Sequence, residues 1–424
     1  MSNRPPAVRI DDLTDPWYPP EVEPIRAAMA EIGETLTLEP EPLMAAAIEA
    51  TGLDDFGDDA FRERLDVLCA ALRTEAGLSS AGVTGAAGLL TQLLSNRLLI
   101  EDAATRHPEI LESEIRAPIV ICGLPRTGTT HLHNLISADP ALRSLPYWES
   151  LEPVLPESQQ PAPGEPDPRR ARTEMALDVV NTTMPYFKRM HEMTVDHVHE
   201  EIQLLAIDFS TMLFETMAPM PTWRDYYVAI DQRPVYAYLK KVLQVLTWLR
   251  GGDRWVLKSP QHLEQLPVLA DTFPDATFVV THRDPVSVTV STATMISYSA
   301  RMNQAQPDPF ATGQYWAARI EDELGACVRD RESLPAGQSI DVRFHEFMAD
   351  DVAMVERIYD LAGQPMTSDV RAAMDTFMVE HPRGRHGGVS YDLADFGLDA
   401  DERYKALEFY IDRFGVEVER GRPG

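Results

Sequence analysis

The residues best placed to do chemistry lie in the run Gly123-Leu124-Pro125-Arg126-Thr127-Gly128-Thr129-Thr130, which follows the apolar stretch PIVICG at 118–123 and leads into a helical segment. A glycine-rich turn from strand to helix presents backbone N–H groups and the positive helix end to an anion. Gly123 and Gly128 have the spacing of a phosphate-binding loop. A nucleoside triphosphatase would carry Lys at 129 to reach the β- and γ-phosphates. Position 129 is Thr, and the cation, Arg126, lies inside the loop. The loop therefore suits a smaller anionic group better than a magnesium triphosphate. A second set, Thr281-His282-Arg283-Asp284-Pro285, ends the apolar run TFVVTH, and Ser291 follows eight residues after Arg283. Arg283 offers a charged fork to a phosphate, and a serine two helical turns on can add a hydroxyl donor.

These two signatures resemble those of the sulfotransferases that use 3′-phosphoadenosine 5′-phosphosulfate (PAPS), in particular a bacterial branch with an N-terminal helical extension. Pro125, Arg126, Thr127, Gly128, Thr129 and Thr130 match the family's 5′-phosphosulfate loop, and Arg283 with Ser291 matches its 3′-phosphate signature. The resemblance implies in-line transfer of a sulfuryl group from PAPS as co-substrate to an acceptor hydroxyl or amine, with no metal. It implies that Arg126 is the loop's catalytic cation and that Lys258, in Trp255-Val256-Leu257-Lys258-Ser259-Pro260, is a second. Arg383 and Arg385, in the basic stretch Arg383-Gly384-Arg385-His386-Gly387-Gly388, resemble the family's loop over the nucleotide phosphate. His131 stands where the cytosolic branch has a Trp against the adenine.

The acceptor must lose a proton, so a general base is expected. The cytosolic branch has a His two residues after the lysine; here that position is Pro260. Other branches use a glutamate after the loop helix, and Glu149 falls in that region. A second group is His197-Val198-His199-Glu200-Glu201, where adjacent carboxylates on a partly buried wall would raise each other's pKa. Glu201 and Glu149 rank first as bases, with His199 behind them.

Four short apolar runs must position these groups: 118–123, 255–258, 277–282 and 339–344, with helical segments including 261–273 and 350–362. Buried strands alternating with helices predict an α/β fold: a P-loop-like parallel sheet flanked by helices, with an N-terminal helical layer. Residues 1–24 hold six prolines and read as an extended arm. From about 40 to 105 the texture is helical, with Phe61, Leu65, Leu68 and Leu72 at helical spacing behind the cap candidates Asp58 and Asp59, then Leu90, Leu94 and Leu98. The division is an arm and layer over 1–110, then a catalytic domain over 111–424 with an acceptor-side helical insertion at about 150–250. That insertion opens with a proline-rich loop at 156–168, continues as helix from about 171 to 218 and from 233 to 250, and carries seven methionines between Met175 and Met220. Thioethers fill irregular apolar space, either as core or as the wall of an apolar acceptor pocket.

Composition bounds the rest. The 424 residues are 44% hydrophobic and 25% charged, which excludes a disordered or fibrous chain. Lys and Arg number 38 against 67 Asp and Glu, a net charge of −29 that repels nucleic acid and anionic lipid. Any local cluster of cations must therefore hold something anionic. Cys69, Cys122 and Cys327 are scattered, without metal or dithiol spacing, and fit a reducing cytoplasm. No apolar run reaches the roughly 18 residues of a membrane helix. The expected acceptor is a small, apolar molecule such as a lipid, sterol, polyketide or phenol. The arm and helical layer could pack against a second copy. The rival readings are a P-loop nucleotide kinase or hydrolase, disfavoured by Thr129, and a catalytically inactive PAPS-binding protein, suggested by Pro260.

Overall fold

Among residues 5–420, which the computed structural model describes, six strands form. In chain order they are β1 (Val8–Arg9), β2 (Ile119–Cys122), β3 (Val256–Ser259), β4 (Thr277–His282), β5 (Ser339–Arg343) and β6 (Val389–Ser390). The four apolar runs are β2 to β5, and they make one all-parallel sheet in the order β3-β2-β4-β5. Ile119 lies opposite Val256 on one side and Thr277 on the other, so β2 is central. The chain leaves β2 for one neighbour and returns on its far side. This is the topological switch point, outside whose strand ends ligands bind in open α/β sheets.

The strands are apolar throughout because both faces of the sheet are covered. Val120, Cys122, Leu257, Phe278 and Val280 pack on the side of the N-terminal helices. Ile119, Ile121, Val256, Val279 and Val342 pack on the other, against Leu132, Ile136, Val355 and Ile358. The N-terminal layer comprises helices Glu23–Gly33, Pro40–Thr51, Phe61–Thr74 and Ser80–Arg106. Phe61, Leu65, Leu68, Leu90, Leu94 and Leu98 are fully buried in the same apolar cluster as one face of the sheet. Asp208 ties the layer down by pairing with Arg64 (2.6 Å) and Arg97 (2.7 Å). Of the two cap candidates, Asp58 accepts from the Ala60 N–H, whereas Asp59 pairs with the Arg62 side chain.

Three expectations need correction. Residues 171–218 are helical only in part: a helix runs Pro168–Thr183 and then stops, because Pro185 disfavours helix at Met184 and cannot donate to it. Short turns at Phe187–Arg189, Ile202–Ala206 and Met212–Thr216 follow. Residues 261–273 likewise divide into a 3₁₀ turn, Pro260–Glu264, and a helix, Leu266–Thr272. The helix Arg233–Arg250 forms as expected. The proline-rich arm is more than an extended tail: β1 pairs in parallel with β6, near the other end of the chain. Its first four residues lie outside the described range. All three cysteines are buried free thiols, and no described helix is long and apolar enough to cross a membrane.

Candidate functional site

The motifs meet at the carboxyl ends of the strands. β2 runs into the glycine-rich loop, β3 carries Lys258 near its end, and β4 ends at His282 with Arg283 next. Gly128 sits at φ +87°, a left-handed turn that only glycine adopts without cost, and caps the helix Thr129–Ser137. Arg126 also holds a left-handed φ of +69°, a strain that an arginine bears here. Its Nε donates to Ser291 Oγ (2.9 Å), and its Nη1 donates to the Met190 carbonyl. The Thr127 side chain turns inward, bonding the Leu124 carbonyl (2.7 Å) and Thr281 Oγ1 (2.8 Å). It therefore shapes the loop instead of facing a ligand.

Arg283 reaches back to this loop, donating Nη1–H to the Arg126 carbonyl (2.7 Å). The rest of its fork holds Glu419 of the C-terminal tail, through Nε (2.7 Å) and Nη2 (2.8 Å). The tail is anchored there because the Glu419 N–H and the Tyr404 hydroxyl both donate to Asp284 Oδ2. A guanidinium that clasps a carboxylate with both arms has the geometry to clasp a phosphate. Ser291 is buried and points to Arg126.

Two hollows open on the loop. The larger, a cleft of about 740 Å³, is lined by Thr130, His131, Arg126, Arg283, Arg383 and Arg385, among others. In a chain of net charge −29, this concentration of cations gives the cleft the charge an anion would need. Here His131 bonds Asp351 (2.9 Å), which also takes Arg383 (2.6 Å), while Arg385 grips Glu192 with Nη2 (2.5 Å) and Nε (3.2 Å).

The smaller hollow, a cavity of about 320 Å³, shares Arg126, Thr129, Thr130 and His191 with the cleft and includes Pro125, Lys258 and Pro260. Its deeper wall is apolar, built by Met212, Leu213, Met295, Ile296, Met302 and Trp316. Of the seven methionines in the insertion, only Met212 lines it; Met184, Met190, Met217 and Met220 are buried in the core, and Met175 is exposed. The insertion's methionines are therefore mainly packing.

The structure separates the three base candidates. The segment His197–His199 runs beside Leu145–Tyr147, joined by the bonds Tyr147 N–H to His197 O and His199 N–H to Leu145 O. His199 is buried, lines the cavity and has no hydrogen-bond partner on either ring nitrogen. Burial, aided by His197, His191 and Lys258, pushes its pKa well below the usual imidazole value. Burial with Lys258 and Arg126 pushes His191 down to about 3. Both rings are therefore neutral at pH 7.

Glu201 is turned away from the cavity. Its carboxylate accepts the Lys258 backbone N–H (2.7 Å) and meets His262 Nε2 (2.5 Å), and the other nitrogen of that ring bonds the Tyr236 hydroxyl (2.8 Å). Glu149 is fully buried between Arg143 (2.6 Å) and Arg250 (2.9 Å) and lines neither hollow. Glu200, one residue from Glu201, brings the only carboxylate among the described residues lining the cavity, and it pairs with Lys258 Nζ. The ranking of Glu201 and Glu149 first is therefore not what the geometry favours. The signal for Glu200 was present in the Glu-Glu pair, but which member faces inward depends on the backbone turn at the start of the helix Ile202–Ala206. Sequence gave no signal for the Glu419 clasp. Among the described residues, no cluster of His, Cys, Asp and Glu is arranged to hold a metal ion.

A model described as the sulfotransferase family matches residues 118–369. The omega-hydroxy-beta-dihydromenaquinone-9 sulfotransferase Stf3 of Mycobacterium bovis is 22% identical over 327 residues, spanning 72% of this chain and 77% of that protein. Among solved structures, sulfotransferase STF1 from Mycobacterium tuberculosis is 30% identical with a TM-score of 0.76, covering 88% of this chain and 98% of its own. Sulfotransferase STF9 from Mycobacterium avium is 26% identical with a TM-score of 0.80, covering 91% and 98%.

Proposed function

The chain belongs to the sulfotransferase family, and from that premise we propose that it transfers a sulfuryl group from PAPS to a hydroxyl on an apolar small molecule. The observation that carries this reading is the joining of two hollows of opposite character at one loop: a cationic cleft and an apolar cavity that share Arg126, Thr129 and Thr130. The cleft suits the nucleotide. Arg283 would hold its 3′-phosphate in place of Glu419, with Arg383 and Arg385 adding charge and His131 available to the base. The loop amides, with Thr129 and Thr130, would hold the phosphosulfate. Ser291 would act through Arg126, to which it is already bonded.

In the reaction, the acceptor oxygen forms a bond to sulfur while the bond from sulfur to the phosphate oxygen breaks, and its electron pair passes to adenosine 3′,5′-bisphosphate. Negative charge grows on that leaving oxygen. Arg126 and Lys258, which both line the cavity, would stabilise it. The acceptor proton goes to a base. We assign Glu200, because among the described residues it alone offers a carboxylate to the cavity and it stands beside Lys258. His199 is secondary, since an imidazole held so far below its usual pKa is a weak base. These groups speak against the inactive-protein reading that Pro260 raised.

The apolar wall of the cavity supports a lipid-like acceptor, in keeping with the menaquinone-derived acceptor in the name of the mycobacterial relative. Three buried free thiols fit the cytoplasm as the place of action. The test is turnover with sulfur-labelled PAPS and a panel of long-chain alcohols, prenylated phenols and sugars. Label in the first two classes and not in sugars is expected. Preferential labelling of sugars would overturn the acceptor assignment.

A further inference from the structure

The N-terminal arm meets the basic loop beside the cationic cleft. β1 lies along β6, with Val8 paired to Val389 and Arg9 to Ser390. The Val8 N–H donates to the Gly388 carbonyl (3.1 Å), and the Ser390 hydroxyl bonds the Val8 carbonyl (3.3 Å). Gly388 is the last residue of the basic loop that carries Arg383 and Arg385 over the cleft. The arm is fixed behind this pairing. Asp12 holds the buried Arg301 with both oxygens (2.9 and 3.0 Å), and Ile10 and Leu13 are buried with Met190 and Val389.

Arg189 joins the arm to the loop. Its Nη1 donates to the Pro6 carbonyl (2.8 Å) and to the Gly388 carbonyl (3.2 Å), one from the arm and one from the loop. Gly387, at φ +83°, lies against this guanidinium; a Cβ there would meet Arg189 Nη1 at 2.6 Å and the Pro5 carbonyl at 3.0 Å. The close approach thus depends on glycine at 387. Arg189 is also adjacent to Met190, whose carbonyl receives Arg126. One short segment, 189–190, therefore braces both the glycine-rich loop and the basic loop.

We propose that Arg189 is a positioning residue for the sulfuryl donor: backed by the strand at Val8–Arg9, it holds the 383–388 loop across the cleft and so sets donor affinity. This rests on the assignment of the cleft to PAPS. No described residue of the arm lines the apolar cavity, so its effect is assigned to donor binding and not to transfer.

The test compares full-length wild type with Arg189→Ala, Arg189→Lys and Val8→Pro, the last removing the N–H that bonds Gly388. The readouts are the Kd for adenosine 3′,5′-bisphosphate and the split between KM for PAPS and kcat. Arg189→Ala should raise Kd and KM about tenfold, as loss of hydrogen bonds from a charged group implies, and Val8→Pro about threefold, as loss of one neutral backbone bond implies, with kcat within about twofold in both. Lysine at 189, which keeps a charged donor, should recover part of the loss. Unchanged Kd in Arg189→Ala overturns the proposal. So does weakened binding in Arg189→Ala with Val8→Pro unaffected, which would mean that Arg189 touches the donor and the strand does nothing. Failure of the wild type itself to bind the bisphosphate would instead sink the assignment of the cleft.

Discussion

At the scale of single residues, the carboxylate of Glu200 faces the cavity beside Lys258, while that of Glu201 is spent on the Lys258 backbone and His262. Exchanging each for glutamine should therefore have opposite consequences. Glu200→Gln should lower kcat by about 10²- to 10⁴-fold, the usual range for a general base, while leaving the Kd for adenosine 3′,5′-bisphosphate unchanged. Glu201→Gln should cost roughly 1–3 kcal/mol of stability in urea unfolding by unbalancing a buried network. If the losses fall the other way round, Glu201 is the base. Arg126, Arg283 and Lys258 were legible because each lies within a few residues of the strand end that places it. The proposed base, Glu200, was not, because side-chain direction in the irregular segment 197–201 is fixed by partners at 145–147 and 258–262. Glu419 marks the same limit. Its contact with Arg283 spans 136 residues, and it makes a sharp prediction. Removing the competing carboxylate in Glu419→Ala should tighten bisphosphate binding several-fold, and weaker binding would show that the tail supports the site.

At the scale of elements, the helix Pro285–Ser299 serves both hollows. Its N-terminal half follows Arg283 and carries Ser291, which bonds Arg126; its last turns supply Met295 and Ile296 to the apolar cavity. A bulky substitution on the second half should thus touch the acceptor alone. Met295→Trp should raise KM for a long-chain alcohol substantially while leaving KM for PAPS within about twofold. Equal effects on both substrates would mean that the helix moves as a body. The strands β2 to β5 could be read from their apolar runs because a parallel sheet covered on both faces leaves no polar register to interrupt them. Segment 184–220 could not be read so well. Its methionines and short turns take their form from the surrounding core, and local periodicity is weak where Pro185 ends the preceding helix.

At the scale of the whole molecule, a core that runs continuously from the N-terminal helices to the sheet supports a site in which His191, His197 and His199 are held uncharged. Burial and nearby cations bring His191 down to about 3, and burial with His191 and Lys258 does the same for His197. Unfolded imidazoles take up protons near 6.5. Between about 6.5 and 3 the unfolded chain thus binds more protons than the folded one. The stability these groups contribute is present above 6.5 and is lost as the pH falls. Tm should drop between pH 7.5 and 5, and the double variant His191→Gln, His197→Gln should flatten that dependence; an unaltered slope would locate the titration elsewhere. The charge pattern of the molecule, strongly negative with a cationic cleft at the glycine-rich loop, leads to the central claim that the cleft is built for a nucleotide bisphosphate. Calorimetric titration with adenosine 3′,5′-bisphosphate, set against ADP with magnesium, tests it most directly. The account predicts binding of the bisphosphate, at least tenfold weaker in Arg283→Ala, and little or no binding of magnesium ADP. Bisphosphate binding indifferent to Arg283, or a preference for magnesium ADP, would contradict it.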